Sequence, residues 1–266
     1  MTHPPARGRI DTEHAGDGVM VIRIVSEARA NSLDDGMLDA IAAAVRDPVP
    51  DGVRAVVLTG AGDRNFSGGV DLSARPMDTL AASVREGERL LGVAARAIES
   101  APVPVVCALN GNAVGGALEL AMACDWRIAR RGARFGMPPA RLGWVYAAEG
   151  IRLFVRAVGP AHTAELFLTG RPVDADRALA MGMVNAVVEP AELMPAALEA
   201  ARAVAANAPI AVAGTRAVIR ALTGDPETAD PITTAAEWRR RAFASQDIEE
   251  GLRAFRERRP PGFRGR

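Results

Sequence analysis

Glu119 is the residue around which chemistry in this chain can be organised. It lies three residues beyond Gly116, about one helical turn on and so on nearly the same face. The run Pro104–Asp125 reads PVVCALNGNAVGGALELAMACD. An apolar strand pattern, Val103–Leu109, breaks at Asn110-Gly111 and again at Gly115-Gly116. From Ala117 onward Leu118, Ala121 and Met122 recur at the helical spacing. The first N–H groups of a helix have no intrahelical partner and sit at the positive end of its dipole. Gly115 and Gly116 carry no side chain to cover them. Such a terminus can hold an anion, or an oxygen acquiring negative charge. A donor for a developing oxyanion and a carboxylate able to move a proton therefore stand side by side.

A second stretch has the same form. Asn65–Leu72 reads NFSGGVDL and follows the apolar run Arg54–Thr59, RAVVLT. Here too a strand pattern ends at glycines, Gly68 and Gly69, and leaves the Val70 N–H free to donate. Two exposed N–H groups from two strand-to-turn junctions are what an oxyanion hole requires. Each fragment alone is equally compatible with an ordinary turn, and a single Glu with a solvated helix face.

In this order the residues resemble the crotonase superfamily, also called the enoyl-CoA hydratase/isomerase family. Its first signature, Phe-x-x-Gly-x-Asp-Leu/Ile, is matched by Phe66, Gly69, Asp71 and Leu72. Its second, Asn-Gly-x-Ala-x-Gly-Gly-x-x-Glu-Leu, is matched by Asn110, Gly111, Ala113, Gly115, Gly116, Glu119 and Leu120. Cys124-Asp125 leading into Trp126–Ala129, and the ending 243–266, are similar to the family as well. The resemblance runs from about Val19 to the C-terminus.

It implies an α/β fold, the crotonase (ClpP-like) spiral of ββα units with a C-terminal helical trimerisation region. It also implies an acyl-CoA thioester substrate, whose enolate oxygen is held by the N–H groups of Val70 and Gly116. Glu119 is then the acid/base. Ala28–Leu33 resembles a loop that lies against the coenzyme A in the family, with Asn31, Ser32 and Leu33 matching its ending, and the residues expected to meet the coenzyme A are Arg29, Ala30, Ser32, Gly68, Val70, Asp71 and Leu72. The proline common at the start of that loop is replaced by Glu27-Ala28. Phe255 and Arg258 match residues that reach a neighbouring subunit's CoA adenine and 3′-phosphate, in a homotrimer or a hexamer built as a dimer of trimers. At Arg29 and Arg258 a solvated surface arginine is the alternative. No cofactor is implied beyond the coenzyme A carried by the substrate.

One departure bears on the reaction. Where a two-glutamate hydratase has Phe-Gly-x-Pro-Glu, this chain has Phe135, Gly136, Met137, Pro138 and Pro139. The second acid is absent, and proline offers neither a carboxyl nor an N–H. Beyond it, Leu142–Tyr146 reads LGWVY and resembles the Leu-Gly-x-x-Tyr of the methylmalonyl-CoA decarboxylase branch. Tyr146 is a pocket residue on that reading and core packing on the other. Glu149 opens the next helix pattern. It is either a substitute acid or a first-turn carboxylate complementing the helix dipole.

The elements that must position these groups come from a chain of 266 residues, 49% hydrophobic, long enough for a substantial core. The expected organisation is a polar N-terminal segment over 1–18, a spiral core over 19–200 and a helical region over 201–266. Val19–Val25 and Val53–Thr59 read as strands, Asp34–Arg46 and Leu80–Glu99 as amphipathic helices, and Ser73–Thr79 as a polar loop. From Pro160 on, apolar spacing at three and four predicts mostly helix.

All 32 basic residues are Arg, which excludes lysine Schiff-base and P-loop chemistry. Zero net charge argues against nucleic acid and membrane surfaces as partners, and no apolar run is long enough to span a bilayer. Two cysteines, Cys107 and Cys124, fit a reducing cytoplasm and core thiols, not a metal site. The histidines, His3, His14 and His162, are not placed near a serine in any hydrolase pattern. Three readings follow: a hydratase/isomerase acting through a thioester enolate, a CoA-thioester decarboxylase, or a catalytically weak acyl-CoA-binding relative.

Overall fold

The computed structural model of this chain describes residues 8–46, 52–71, 80–224 and 230–266. Six strands form the larger sheet, in the order β1 (Arg9–His14), β2 (Val19–Val25), β3 (Ala55–Gly60), β5 (Val105–Leu109), β7 (Trp126–Arg130) and β10 (Ala186–Val188). All its pairs are parallel except β1 with β2. Parallel strands are covered on both faces and so read as unbroken apolar runs. The sequences AVVLTG of β3 and VVCAL of β5 do so, and both strands are buried throughout. Four short strands form a second sheet, β4 (Asn65–Ser67), β6 (Asn112–Val114), β8 (Arg134–Gly136) and β9 (Val173–Asp174).

The chain winds as the expected spiral. Each turn gives one strand to the large sheet, one to the small sheet, and then a helix. The first is β3, β4 and α2 (Leu80–Ser100); the second is β5, β6 and α3 (Gly116–Ala123). The third is β7, β8 and α4 (Pro139–Leu142), followed by α5 (Ala148–Thr169). One face of the large sheet packs with α1 (Asp35–Arg46), α2, α3 and α5 into the main core. The other face is covered by α7 (Leu193–Ala205), and α6 (Ala175–Ala180) leads into β10. Asp34 caps α1 as its side chain suggests, accepting from Met37 N–H at 2.9 Å.

Two local features differ from the sequence reading. Within the segment read as a polar lead-in, Arg9–His14 forms an edge strand antiparallel to β2. Its alternating, charged sequence suits an edge. The chain between Asn110 and Gly115 is not only a turn, because Asn112–Val114 pairs into the second sheet. The helix α5 bends at Gly159 (φ 74°), where Pro160 cannot donate into the preceding turn, in keeping with the separate helix patterns that end at Val158 and begin at Ala161. The loop Ser73–Thr79 lies outside the described residues.

Three helices end the chain, α8 (Pro209–Thr223), α9 (Pro231–Phe243) and α10 (Gln246–Glu257). Arg216 and Arg220 on α8 reach Asp125 at 2.8 and 3.1 Å, and Asp125 in turn accepts from Val105 N–H at the start of β5. Ile232, Phe243, Leu252 and Phe255 stay exposed on these last helices. Among the described residues no single helix is long and apolar enough to cross a membrane.

Candidate active site

The second sheet sets the site. β4 and β6 run parallel, with Asn65 opposite Asn112 and Ser67 opposite Ala113. Their C-terminal ends therefore deliver Gly68–Val70 and Gly115–Gly116 to one place. Two buried asparagines fasten the approach. Asn110 accepts from Gly60 N–H and donates to Gly62 O, both at 2.9 Å. Asn31 donates to Ala61 O at 2.8 Å and to Asn65 O at 2.9 Å. Asn110, which heads the second signature, is thus a brace. Gly69 sits at φ +89°, where an added Cβ would lie 2.5 Å from Val114 O, so no other residue fits without displacement.

Counting the backbone donors of these turns separates the partnered from the unpartnered. Gly68 N–H donates to Ala30 O, Gly69 N–H to the Ser67 hydroxyl, Asp71 N–H to Leu33 O and Gly115 N–H to Gly136 O. Gly116 is the first residue of α3, whose leading N–H groups have no intrahelical acceptor. Among the described residues neither Val70 N–H nor Gly116 N–H has a protein partner. The two are neighbours, since a Cβ on Gly116 would lie 3.2 Å from Val70 Cγ2.

α3 carries Glu119 one turn onward, 4% exposed. Its Oε2 accepts from the Tyr146 hydroxyl at 2.5 Å. Burial pushes the Glu119 carboxyl up to about 7, while the Tyr146 hydrogen bond pulls it down; the Glu88, Glu149 and Glu99 carboxylates add to the rise. Burial, reinforced by the Glu119 charge, holds Tyr146 well above the usual phenol range. The pair is packed through Gly150 in the first turn of α5, where a Cβ would come 2.6 Å from Tyr146 Cε1 and 2.8 Å from Glu119 Oε2. Nothing in the sequence pattern singles out Gly150, because its partners are distant along the chain.

Two cavities meet at Tyr146. The first, about 110 Å³, is lined by Gly68–Val70, Gly115, Gly116, Leu91, Pro139 and Trp144 among others, and is largely apolar. The second, about 280 Å³, is polar and contains Glu119, Glu149, Arg85, Arg89 and Arg96. Tyr146 and Glu88 line both. Glu119 lines the second only; Tyr146, which bonds to it, lines both. Glu149 is exposed at the first turn of α5, on the polar side. Pro139 occupies the wall of the first cavity and adds no polar group. Glu88, on α2, escaped the sequence reading because a charged residue on an amphipathic helix looks like solvated surface.

The other residues expected to meet coenzyme A fall into two groups. Ala30, Ser32, Gly68, Val70 and Asp71 are brought together: Leu33 bridges Val70, and the Ala30 carbonyl holds Gly68. Arg29 joins them, half-buried, with Nη1 3.2 Å from Asp71 Oδ2 and Nη2 3.6 Å from Asp34 Oδ2. Its charge is already balanced within the loop. Phe255, 84% exposed, and Arg258, at the C-cap of α10, line neither cavity. Leu72 lies outside the described residues.

The ββα spiral is shared with known proteins. The chain belongs to the enoyl-CoA hydratase/isomerase family, whose model matches residues 14–266, and it is an enzyme of that hydratase, isomerase or lyase class. It is 39% identical over 220 residues to a short-chain-enoyl-CoA hydratase of Clostridium acetobutylicum, covering 80% of this chain and 82% of the relative. It is 33% identical to the methylmalonyl-CoA decarboxylase of Escherichia coli, covering 93% and 95%. Among solved structures it matches an enoyl-CoA hydratase from Bacillus anthracis with a TM-score of 0.88, at 31% identity over 97% of this chain and all of the other.

Proposed function

We propose that the chain acts on acyl-CoA thioesters by forming an enolate, with the thioester oxygen between the N–H groups of Val70 and Gly116. The observation that carries this is the pair of unpartnered donors opening on the same cavity as the Tyr146 hydroxyl. Enolate formation is difficult because negative charge builds on that oxygen. Fixed donors in a dry site oppose the cost without reorganising. Glu119 exchanges the proton at Cα. Because Tyr146 bonds Glu119 and lines the apolar cavity that Glu119 does not, the proton passes through the phenol hydroxyl. A carboxyl titrating near neutrality is suited to both directions of transfer. Glu149, exposed on the polar side, complements the α5 dipole and touches no reacting atom. Phe255 and Arg258 contact coenzyme A across subunits, in a trimer built through α8–α10.

Decarboxylation is the second reading, and the Tyr146–Glu119 hydrogen bond favours it. Loss of CO₂ from a malonyl-type thioester leaves the same enolate at the same two donors, and Tyr146 stands ready to protonate it. Incubation with crotonyl-CoA and with methylmalonyl-CoA separates the two. The first reading expects 3-hydroxybutyryl-CoA, formed slowly beside a two-glutamate hydratase. Propionyl-CoA from methylmalonyl-CoA as the faster product would make the enzyme a decarboxylase. No product from either, and no exchange of butyryl-CoA α-protons in D₂O, would leave an acyl-CoA-binding relative.

A further inference from the structure

Two residues that line the first cavity each carry a buried side-chain atom with no partner among the described residues. One is Glu88 Oε1, an acceptor, and the other is Trp144 Nε1, a donor. Both residues line the cavity that Val70 and Gly116 open on. They come from unrelated parts of the chain, α2 and the segment between α4 and α5. Buried polar atoms are nearly always hydrogen-bonded, so each orphan calls for an explanation. A single hydroxyl group satisfies both, because it can accept from an indole N–H and donate to a carboxylate at once. Water can do the same.

We infer that Glu88 and Trp144 hold the oxygen that is added to, or removed from, the β-carbon of the acyl group, with Glu88 as the second acid–base residue. The inference rests on the enolate reading given above. Pro139 takes the place of the family's second carboxyl on one wall, and Glu88 supplies a carboxyl from the opposite helix.

The step balances. Water bonded to Trp144 N–H gives one proton to the Glu88 carboxylate as its oxygen bonds to the β-carbon. The Cα=Cβ pair moves toward the thioester, whose oxygen takes the negative charge between Val70 and Gly116. Cα then takes a proton from the Tyr146–Glu119 pair. Glu88 has gained one proton and Glu119 has lost one. Both line the polar second cavity, through which the proton returns. Burial raises both carboxyls, and the step as written starts with the proton on Glu119, which bonds the Tyr146 hydroxyl. Dehydration is the same sequence reversed.

Two measurements on Glu88→Gln and Trp144→Phe test this, with folding checked by thermal unfolding. In the first, crotonyl-CoA hydration is compared with α-proton exchange of butyryl-CoA in D₂O, which needs the donors and Glu119 but no added oxygen. Glu88→Gln is expected to lower hydration by about 10²-fold more than it lowers exchange. In the second, the affinities of 3-hydroxybutyryl-CoA and butyryl-CoA are compared by calorimetry. The wild-type is expected to favour the hydroxyl compound by about tenfold, roughly one hydrogen bond's worth, and either substitution to erase the preference. Equal loss of hydration and exchange, or an unchanged hydroxyl preference in both variants, would overturn the assignment. A wild-type protein without α-proton exchange would instead remove the enolate reading, and this inference with it.

Discussion

The cavity has two unlike walls. One is backbone, the turns Gly68–Val70 and Val114–Gly116, held by strand pairing and by the amides of Asn31 and Asn110. The other is side chain: Glu88 and Leu91 from α2, and Pro139, Trp144 and Tyr146 around the entry to α5. The backbone wall is fixed by the fold, and on the proposed reading its donors serve any reaction that places charge on a thioester oxygen. On the same reading the side-chain wall holds the groups that move protons, and there this chain departs from the two-glutamate pattern. The first wall would then be common to every reaction of the site, and the second would decide among them. Changes to the backbone wall should slow every reaction of the site alike. Changes to the other should alter the ratio between reactions.

The largest effect is expected at the junction of the two walls. Glu119→Gln keeps the shape and the capacity to accept from Tyr146 but cannot take a proton. Turnover of any acyl-CoA should fall by ~10²–10⁴-fold in steady-state assays. The same variant should be the more stable protein in alkali. An ordinary glutamate titrates near 4.5, and Glu119 in the fold near 7. The folded state therefore favours the protonated form. That stabilisation is whole below 4.5 and is lost as pH rises through about 7. The gap is worth roughly 3 kcal/mol. Denaturant unfolding should show Glu119→Gln gaining on wild-type between pH 5 and pH 8. Parallel stability curves would mean that the carboxyl is not held in its neutral form.

Gly116→Pro tests the backbone wall. Proline is tolerated at the first position of a helix, where the N–H is unused by the helix itself, so α3 should survive. The added Cβ meets Leu91 Cδ2 at 2.7 Å, the movable end of a side chain. Gly116→Ala carries the same Cβ and keeps the N–H, and so serves as the control. The proline variant should lose about 10²–10³-fold in kcat relative to the alanine variant, equally for hydration, exchange and decarboxylation. Unequal losses among the reactions would break the division between the walls.

That division also marks what can be read from the sequence. The backbone wall is local. Its glycines, asparagines and flanking apolar strands lie within two short stretches, and the unbroken runs of β3 and β5 announce burial on both faces. The helices from Leu193 onward follow from spacing, to within about three residues at their ends. What is missed is short or non-local. β4 and β6 have three residues each, too few to show a period. β1 is polar and exists only because β2 offers an edge. Tyr146 is legible as a candidate, but its bond to Glu119 spans 27 residues. Glu88 and Trp144 have no signature, because their meaning comes from a cavity that α2 and the α4–α5 segment enclose together.

The smallest effect, and the finest test of the side-chain wall, is expected for Tyr146→Phe. Its hydrogen bond lowers the Glu119 carboxyl against burial, so removing it should move that titration above 7. Exchange of α-protons requires Glu119 ionised, and its acid limb should shift to higher pH. If Tyr146 only tuned Glu119, raising the pH would restore the full rate. If the phenol carries the proton between the cavities, a deficit persists on the plateau. The bond to Glu119 from a residue that lines both cavities favours the second outcome, with a plateau loss of about tenfold, near 1.4 kcal/mol for one hydrogen bond. Full recovery at high pH would show that Glu119 reaches the substrate directly, by a movement of the Tyr146 ring. The two walls would then share one acid, and the phenol would serve to set the pH at which it works.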